Sequence, residues 1–417
     1  MKRVARVLGA LAVTALAGGA LAPAAAAGQA ARARDGDARP APVTLRVASY
    51  DVSLARAEPG ELVADLAAGD RQARAVAEVI QITAPDVVVL GGIDTDPAGE
   101  AVDLFRERYL EVAQHGETPV AYPYAFTAPV NAGAWGSDDG DGDAGTLDGS
   151  DGGSFGGGAS GGPGAGMAVL SRYPIDTASV RTFRTFLWKD MPGALLPDHP
   201  PAPADLYGAG ELERLPLSSS SHWDVPVDVH GTSVHVLAAQ PAPASGEEVG
   251  RLRNHDEIRF WADYIGVGGA GEYIYDDAGR PGGLTPGARF VVAGDLGADP
   301  ADGPGHPGAI AQLLDHPRLR DPEPASGGAV EAGAVQRVAN VGQAGDPALD
   351  TADLADDPGP GNLRLDYVLP SRNLRVLDAG VFWPMADQPG SELTGQRPFP
   401  TSAHRLVWAD VRVPAWR

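Results

Sequence analysis

Val43–Ser53 reads VTLRVASYDVS, Gln72–Thr83 reads QARAVAEVIQIT and Asp86–Leu90 reads DVVVL. The first stretch alternates like a strand. In the second, Ala75, Val76, Val79 and Ile80 fall at helical spacing before Pro85. The third is an unbroken apolar run of the kind a strand carries when both of its faces are buried. A strand, a helix and a strand within about 50 residues argue for layered α/β packing. Working outward, Met167–Ile175 reads as a strand ended by a Pro turn, and Val225–Ala239 as a hairpin about His230-Gly231. Asn254–Ile265 has a helical pattern through Ile258, Trp261, Ala262 and Ile265. Phe290–Leu296 is a buried strand, and Leu363–Ser371 and His404–Val413 supply the last ones. No repeat of fixed period is present. The expected fold is α/β: a four-layered α/β sandwich, two packed, mainly antiparallel mixed sheets flanked by helices, over residues 43–417.

The flanks of that region carry other signals. Lys2, Arg3 and Arg6, an apolar run over Val7–Leu21 and Ala25-Ala26-Ala27 have the order of a secretory signal peptide over residues 1–27, so a secreted, extracellular protein is expected. Residues 28–42 read as a flexible mature N-terminus. No transmembrane segment is expected after cleavage. The absence of cysteine excludes disulfides, thiolate ligands and cysteine nucleophiles. Removing residues 1–27 takes away three positive charges and no acid, moving the formal charge from −23 to −26. That surface repels polyanions, so nucleic acid is disfavoured as a partner. Residues 136–166, almost only Gly, Asp, Ser and Ala, form an insertion that cannot build a core. Its Asp138–Asp143 stretch alternates oxygens as a calcium loop does but lacks the downstream Glu, which argues against Ca²⁺ there. No serine-hydrolase elbow, P-loop or dinucleotide fingerprint occurs in a suitable context. A monomer is expected.

Several strands end in short polar motifs: Tyr50-Asp51, GDLGADP (Gly294–Pro300), Leu365-Asp366-Tyr367 and SAHRLV (Ser402–Val407). Strands that point the same way gather such ends at one rim, where a site is built. In this order the motifs resemble the endonuclease/exonuclease/phosphatase superfamily, which includes deoxyribonuclease-I-like nucleases, sphingomyelinases and inositol-phosphate phosphatases. GDLGADP, LRLDYVLPS and SAHRLVW carry the resemblance most specifically. LSRYPI, FLWKDMPGALLP, SHWDVPV, RNHDEIRFWADYI and NLRLDYVLPS are similar to a secreted bacterial subgroup.

The resemblance implies a metal-dependent phosphoester hydrolase. Mg²⁺ or Mn²⁺ would be held by an Asn of the first strand and a Glu after the second. A His would stabilise the phosphate, an Asp–Asn pair would place the water, and a terminal Asp-His pair would support the leaving oxygen. Carried over position by position, Asp295, Asp366 and His404 are retained as catalytic candidates. The first-strand Asn falls at Asp51, a weak candidate metal ligand, and the Glu ligand falls at Gly92, which has no side chain. The phosphate-stabilising His falls at Gln240, the GDxN Asn at Gly297, and the Asp of the terminal pair at Ala403, leaving His404 with no carboxylate to fix its tautomer. Asp94 and Asp96 are candidates to replace the missing carboxylate from a shifted loop. His222 and His255 read as structural, and Trp188, Trp223, Trp261 and Trp383 as packing residues.

Three functions follow from this pattern. The first is a catalytically impaired or inactive family member that keeps a cleft for a phosphorylated small molecule or a cation. The second is an active Mg²⁺- or Mn²⁺-dependent phosphodiesterase or phosphatase with an altered ligand set. The third is a secreted interaction protein that uses another surface.

Overall fold

The alternation along Val43–Leu54 (β1) divides its side chains between two cores. Leu45 and Val47 join one apolar cluster, while Ala48, Tyr50 and Val52 join another. In a computed structural model, residues 41–94, 96, 98–132, 165–198, 206–243, 248–395 and 397–415 are described. The expected signal peptide, all of the expected N-terminal tail but residues 41 and 42, and all of the Gly/Asp insertion but residues 165 and 166 lie outside them. Pro40–Arg417 packs as one compact unit.

After β1 come α1 (Glu61–Ala68), α2 (Arg71–Thr83), β2 (Val87–Asp94) and α3 (Glu100–Phe105). Asp70 starts α2 by accepting the Ala73 amide at 2.7 Å. This helix carries the chain across to β2, which pairs parallel to β1. β3 (Tyr124–Phe126), β4 (Ala165–Ser171) and β5 (Arg181–Thr182) follow. Next are the one-turn α4 (Ala209–Leu212), β6 (His222–Val229), β7 (Thr232–Ala239), α5 (Glu248–Tyr264) and β8 (Arg289–Asp295). The remaining strands are β9 (Ala352–Asp353), β10 (Asn362–Leu363), β11 (Asp366–Pro370), β12 (Arg375–Val381) and β13 (Val407–Val413).

One sheet has the order β12-β13-β1-β2-β4-β3 and the other β11-β8-β7-β6-β5, with β9 and β10 as a separate ribbon. Within these sheets β1/β2 and β7/β8 are parallel and the other pairs antiparallel. The two sheets face each other through a Val-rich core that includes Val47, Val89, Val225, Val236 and Val291. Helices α1 to α3 cover the outer face of the first sheet, and α5 covers the second with Ile258, Phe260, Trp261 and Tyr264. Helix, sheet, sheet, helix is the expected four-layer order. The β6–β7 turn puts His230 and Gly231 at φ 52° and 84°, the left-handed pair that a two-residue hairpin requires. Trp188, Trp223, Trp261 and Trp383 are all buried packing residues.

Candidate active site

The same period of two that builds the inner core also aims the polar residues. On β1, Leu45 and Val47 face the other sheet, and two further steps bring Asp51 to the same side at the strand end. Val291 and Ala293 lead likewise to Asp295 on β8, Val234, Val236 and Ala238 to Gln240 past β7, and Val368 back to Asp366 at the start of β11. Because β11 runs antiparallel to β8, and β13 to β1, their beginnings meet the ends of β1 and β8. Asp366 is the cross-strand partner of Asp295. His404, just before β13, is tied to this edge by a bridge to Ala352.

The retained residues converge. His404 Nδ1 lies 2.9 Å from Asp366 Oδ2, and His404 Nε2 lies 3.9 Å from Asp295 Oδ2. A carboxylate only accepts, so Nδ1 donates and Nε2 is turned toward Asp295. The same Asp366 oxygen accepts the Thr351 hydroxyl at 2.9 Å, while Thr351 Oγ1 accepts the amides of Leu365 and Asp366. Asp295 Oδ1 accepts the Gly297 amide at 2.9 Å. Asp366 and His404 are buried, and Asp295 is partly exposed at the rim. Burial alone would lower the His404 imidazole, but Asp366 and Asp295 outweigh it and push the ring up to about 10. Burial pushes Asp295 up to about 7, against the pull of His404 and with the repulsion of Asp366 and Asp51, and it raises Asp366 as well. Both carboxylates thus favour the imidazolium form of His404.

This geometry corrects one expectation. Ala403 does not leave His404 without a carboxylate, because Asp366 arrives from the facing sheet and fixes the Nδ1 proton. The backbone at Ala403 serves another purpose, its carbonyl accepting the Asp353 amide at 2.9 Å. Asp94 and Asp96 do not reach the cluster with their hydrogen-bonding oxygens. Asp94 accepts the Arg56 amide with both oxygens at 3.1 Å, and Asp96 accepts the Ala98, Glu100 and Ala101 amides at the start of α3. His222 is a buried core histidine between the Ser218 hydroxyl and the Glu257 carbonyl, and His255 pairs with Asp256. Thr351 escaped sequence reading, because no strand or helix pattern surrounds it and it lies 15 residues from the Asp366 it serves.

The replaced positions are also joined. Gln240 Nε2 donates to Asp51 Oδ2 at 2.8 Å, and its Oε1 accepts the Gly92 amide at 3.3 Å, so the residue bridges the two sheets. Asp51 Oδ1 accepts the Ser53 amide at 3.0 Å. A Cβ at Gly92 would lie 2.5 Å from Asp51 Oδ1, and φ at Gly92 is +62°. The space beside β2 is thus filled by the carboxylate of β1. Gly297 also has a left-handed φ, +63°, at the turn after Asp295. Asp51, Asp295 and His404 can each place one ligand atom within 4.8 Å of the other two. Two carboxylates fit a hard divalent cation, with His404 contributing only after it sheds its proton. Asp295 and His404 also line a small crevice of about 50 Å³.

The model of the Endonuclease/Exonuclease/phosphatase family matches residues 61–392. No curated protein matches the chain. Among solved structures the chain is similar to an endonuclease/exonuclease/phosphatase from Beutenbergia cavernae, at 17% identity and a TM-score of 0.44 over 89% of this chain and 72% of that one. It is similar to sphingomyelinase C from Streptomyces griseocarneus, at 17% identity and a TM-score of 0.43 over 88% of this chain and 99% of that one. Truncated TDP2 from Caenorhabditis elegans is 13% identical with a TM-score of 0.42, over 89% of this chain and 98% of that one. The family match omits β1 and β13, yet those strands pair within the first sheet and bring Asp51 and His404 to the shared rim. With the match running over well more than half of its length, the chain belongs to the Endonuclease/Exonuclease/phosphatase family.

Proposed function

We propose that this chain is a secreted member of its family whose phosphoester hydrolysis is strongly impaired, and whose cleft receives a phosphorylated small molecule with a divalent cation. The family is generally divalent-metal dependent. One observation carries the reading: the Asp51 carboxylate, held by Gln240, occupies the space that a side chain at position 92 would need. The Glu that the resemblance expects there has no room, and the imidazole expected at Gln240 is replaced by an amide that cannot carry charge. Loss of one such group costs on the order of 10²–10⁴ in rate. The Asp366–His404 pair remains suited to giving a proton to a leaving oxygen, and Asp295 to orienting water. Nucleic acid is disfavoured as the ligand by a formal charge of −23.

The Asp51, Asp295 and His404 grouping supports a second reading, an active enzyme that binds its cation through an altered ligand set. Hydrolysis of bis-p-nitrophenyl phosphate with Mg²⁺ or Mn²⁺ separates the two. The parent is expected to stay near background. A variant carrying Asp51→Asn, Gly92→Glu and Gln240→His together is expected to gain turnover, since Gln240 holds the Asp51 side chain in the disputed space. Metal-dependent turnover by the parent that disappears in Asp295→Ala would establish the second reading instead.

A further inference from the structure

The crevice beside His404 and Asp295 has a wall that belongs to none of the three large cores. Ala352, Leu363 and Leu365 form a separate apolar cluster with Leu354 packed on it, and the β9–β10 ribbon builds it by pairing Ala352 with Leu363. The ribbon is fastened to the catalytic rim through Thr351, which bonds Asp366, and through the Ala352–His404 bridge. Leu354, Leu363 and Leu365 line the crevice together with Pro243, Pro304 and Pro360.

The two carboxylates beside the apolar wall are already bonded. Asp299 Oδ1 accepts the amides of Ala301 and Asp302, and its Oδ2 accepts the Arg364 amide. Asp302 accepts the amides of Ala344 and Gly345. The Arg364 guanidinium grips Asp321 through two bonds of 2.6 and 2.8 Å. Among the described residues that line the crevice there is no Lys or Arg.

We infer that this crevice is a specificity site for the apolar substituent of a singly charged phosphoester. An alkyl or aryl group lies against Leu354, Leu363 and Leu365, and the phosphoryl end points toward Asp295 and His404. A ligand with several phosphates meets Asp299 and Asp302 with no Lys or Arg to offset them. A polyhydroxylated substituent loses water without gaining partners, because the carboxylates nearby are bonded to backbone amides. Apolar contact is the interaction this wall has left to offer. The inference rests on the proposal that the cleft takes a phosphorylated small molecule.

Titration calorimetry of the mature chain in Mg²⁺ buffer with diphenyl phosphate, dimethyl phosphate and inorganic phosphate tests it. Diphenyl phosphate is expected to bind about tenfold or more tightly than dimethyl phosphate, from the extra apolar area buried. Leu354 is half-buried at the ribbon end, so Leu354→Asp is expected to fold, as checked by near-ultraviolet circular dichroism, and to remove most of that margin; Leu354→Ala is expected to remove part of it. Equal binding of the two diesters, or a margin that neither Leu354 variant changes, overturns the inference alone. If none of the three phosphates binds, the phosphorylated-ligand proposal falls with it.

Discussion

Replacing Asp366 by Asn removes one charge from the buried cluster and leaves its shape intact. The amide oxygen can still accept from His404 Nδ1 and Thr351 Oγ1, both 2.9 Å from the present carboxylate oxygen. What is lost is the charge that keeps His404 protonated. The ring moves from an ordinary 6.5 up to about 10 in the folded protein, with Asp366 its largest supporting cause and Asp295 the next. At ~1.4 kcal/mol per unit, and with the effect divided between two carboxylates, the share of Asp366 is about 2–4 kcal/mol. A folded-state value above the unfolded one means that this stabilisation is complete below 6.5 and is lost as the pH rises through about 10. Asp366 Oδ1 is buried without a hydrogen-bond partner, so the new amide NH₂ adds a pH-independent cost of ~1–3 kcal/mol. Urea unfolding of parent and Asp366→Asn at about pH 7 and about pH 10.5 separates the two parts. The destabilisation is expected to be larger near neutrality by about 2–4 kcal/mol. An equal loss at both pH values would refute the claim that Asp366 holds His404 as a cation.

Three other outcomes follow from the same geometry. Gly92→Ala is expected to cost about 1–3 kcal/mol, from the left-handed backbone and the 2.5 Å approach to Asp51, and clearly less in an Asp51→Ala background; a double-mutant cycle with no coupling would show that the two side chains do not compete. Glu257 accepts the Ser219 amide, the Ser219 hydroxyl and the Ala242 amide at 2.6–2.8 Å, clamping the loop before β6 to the one after Gln240. Glu257→Ala should lower stability by ~2–5 kcal/mol in chemical unfolding, and an unchanged midpoint would dismiss the clamp. Duplex DNA should not bind the mature chain at physiological salt in a fluorescence anisotropy titration, and saturable binding there would contradict the charge argument.

Sequence periodicity exposed the strands that bury one or both faces. β1, β2 and β8 lie where their apolar patterns put them, and the hairpin turns at His230-Gly231 as its residue types require. Helix α5 begins at Glu248, six residues ahead of the apolar pattern that starts at Asn254. Its first turns include Arg253, which stacks 4.6 Å from the Trp188 ring and so is buried by a partner from a distant segment. The β9–β10 ribbon has strands of two residues, too short to show a period. The site was readable in part for a similar reason. The polar motifs at strand ends placed Asp51, Asp295 and Asp366 at one rim. A strand-end motif says nothing about which residue of another strand will arrive beside it. His404 was therefore judged by its neighbour Ala403, while its partner stands 38 residues away on the facing sheet.

The departures at Asp51, Gly92 and Gln240 are physically dependent on one another. Asp51 and Gly91 are register partners on neighbouring parallel strands, so β1 and β2 end side by side. A carboxylate at 51 and a longer side chain at 92 would contend for one volume, and the chain resolves this by having a glycine there. Asp51 also adds negative charge beside Asp295 and Asp366, which raises the demand for donors. Gln240 answers that demand with an N–H from the other sheet, while its oxygen caps the Gly92 amide. Histidine in its place offers one ring nitrogen toward Asp51 and lacks an amide oxygen for Gly92. Restoring any one of the three positions alone therefore leaves the other two unmatched, so single reversions are expected to weaken the fold before they rebuild a metal site. The three substitutions have to be made together.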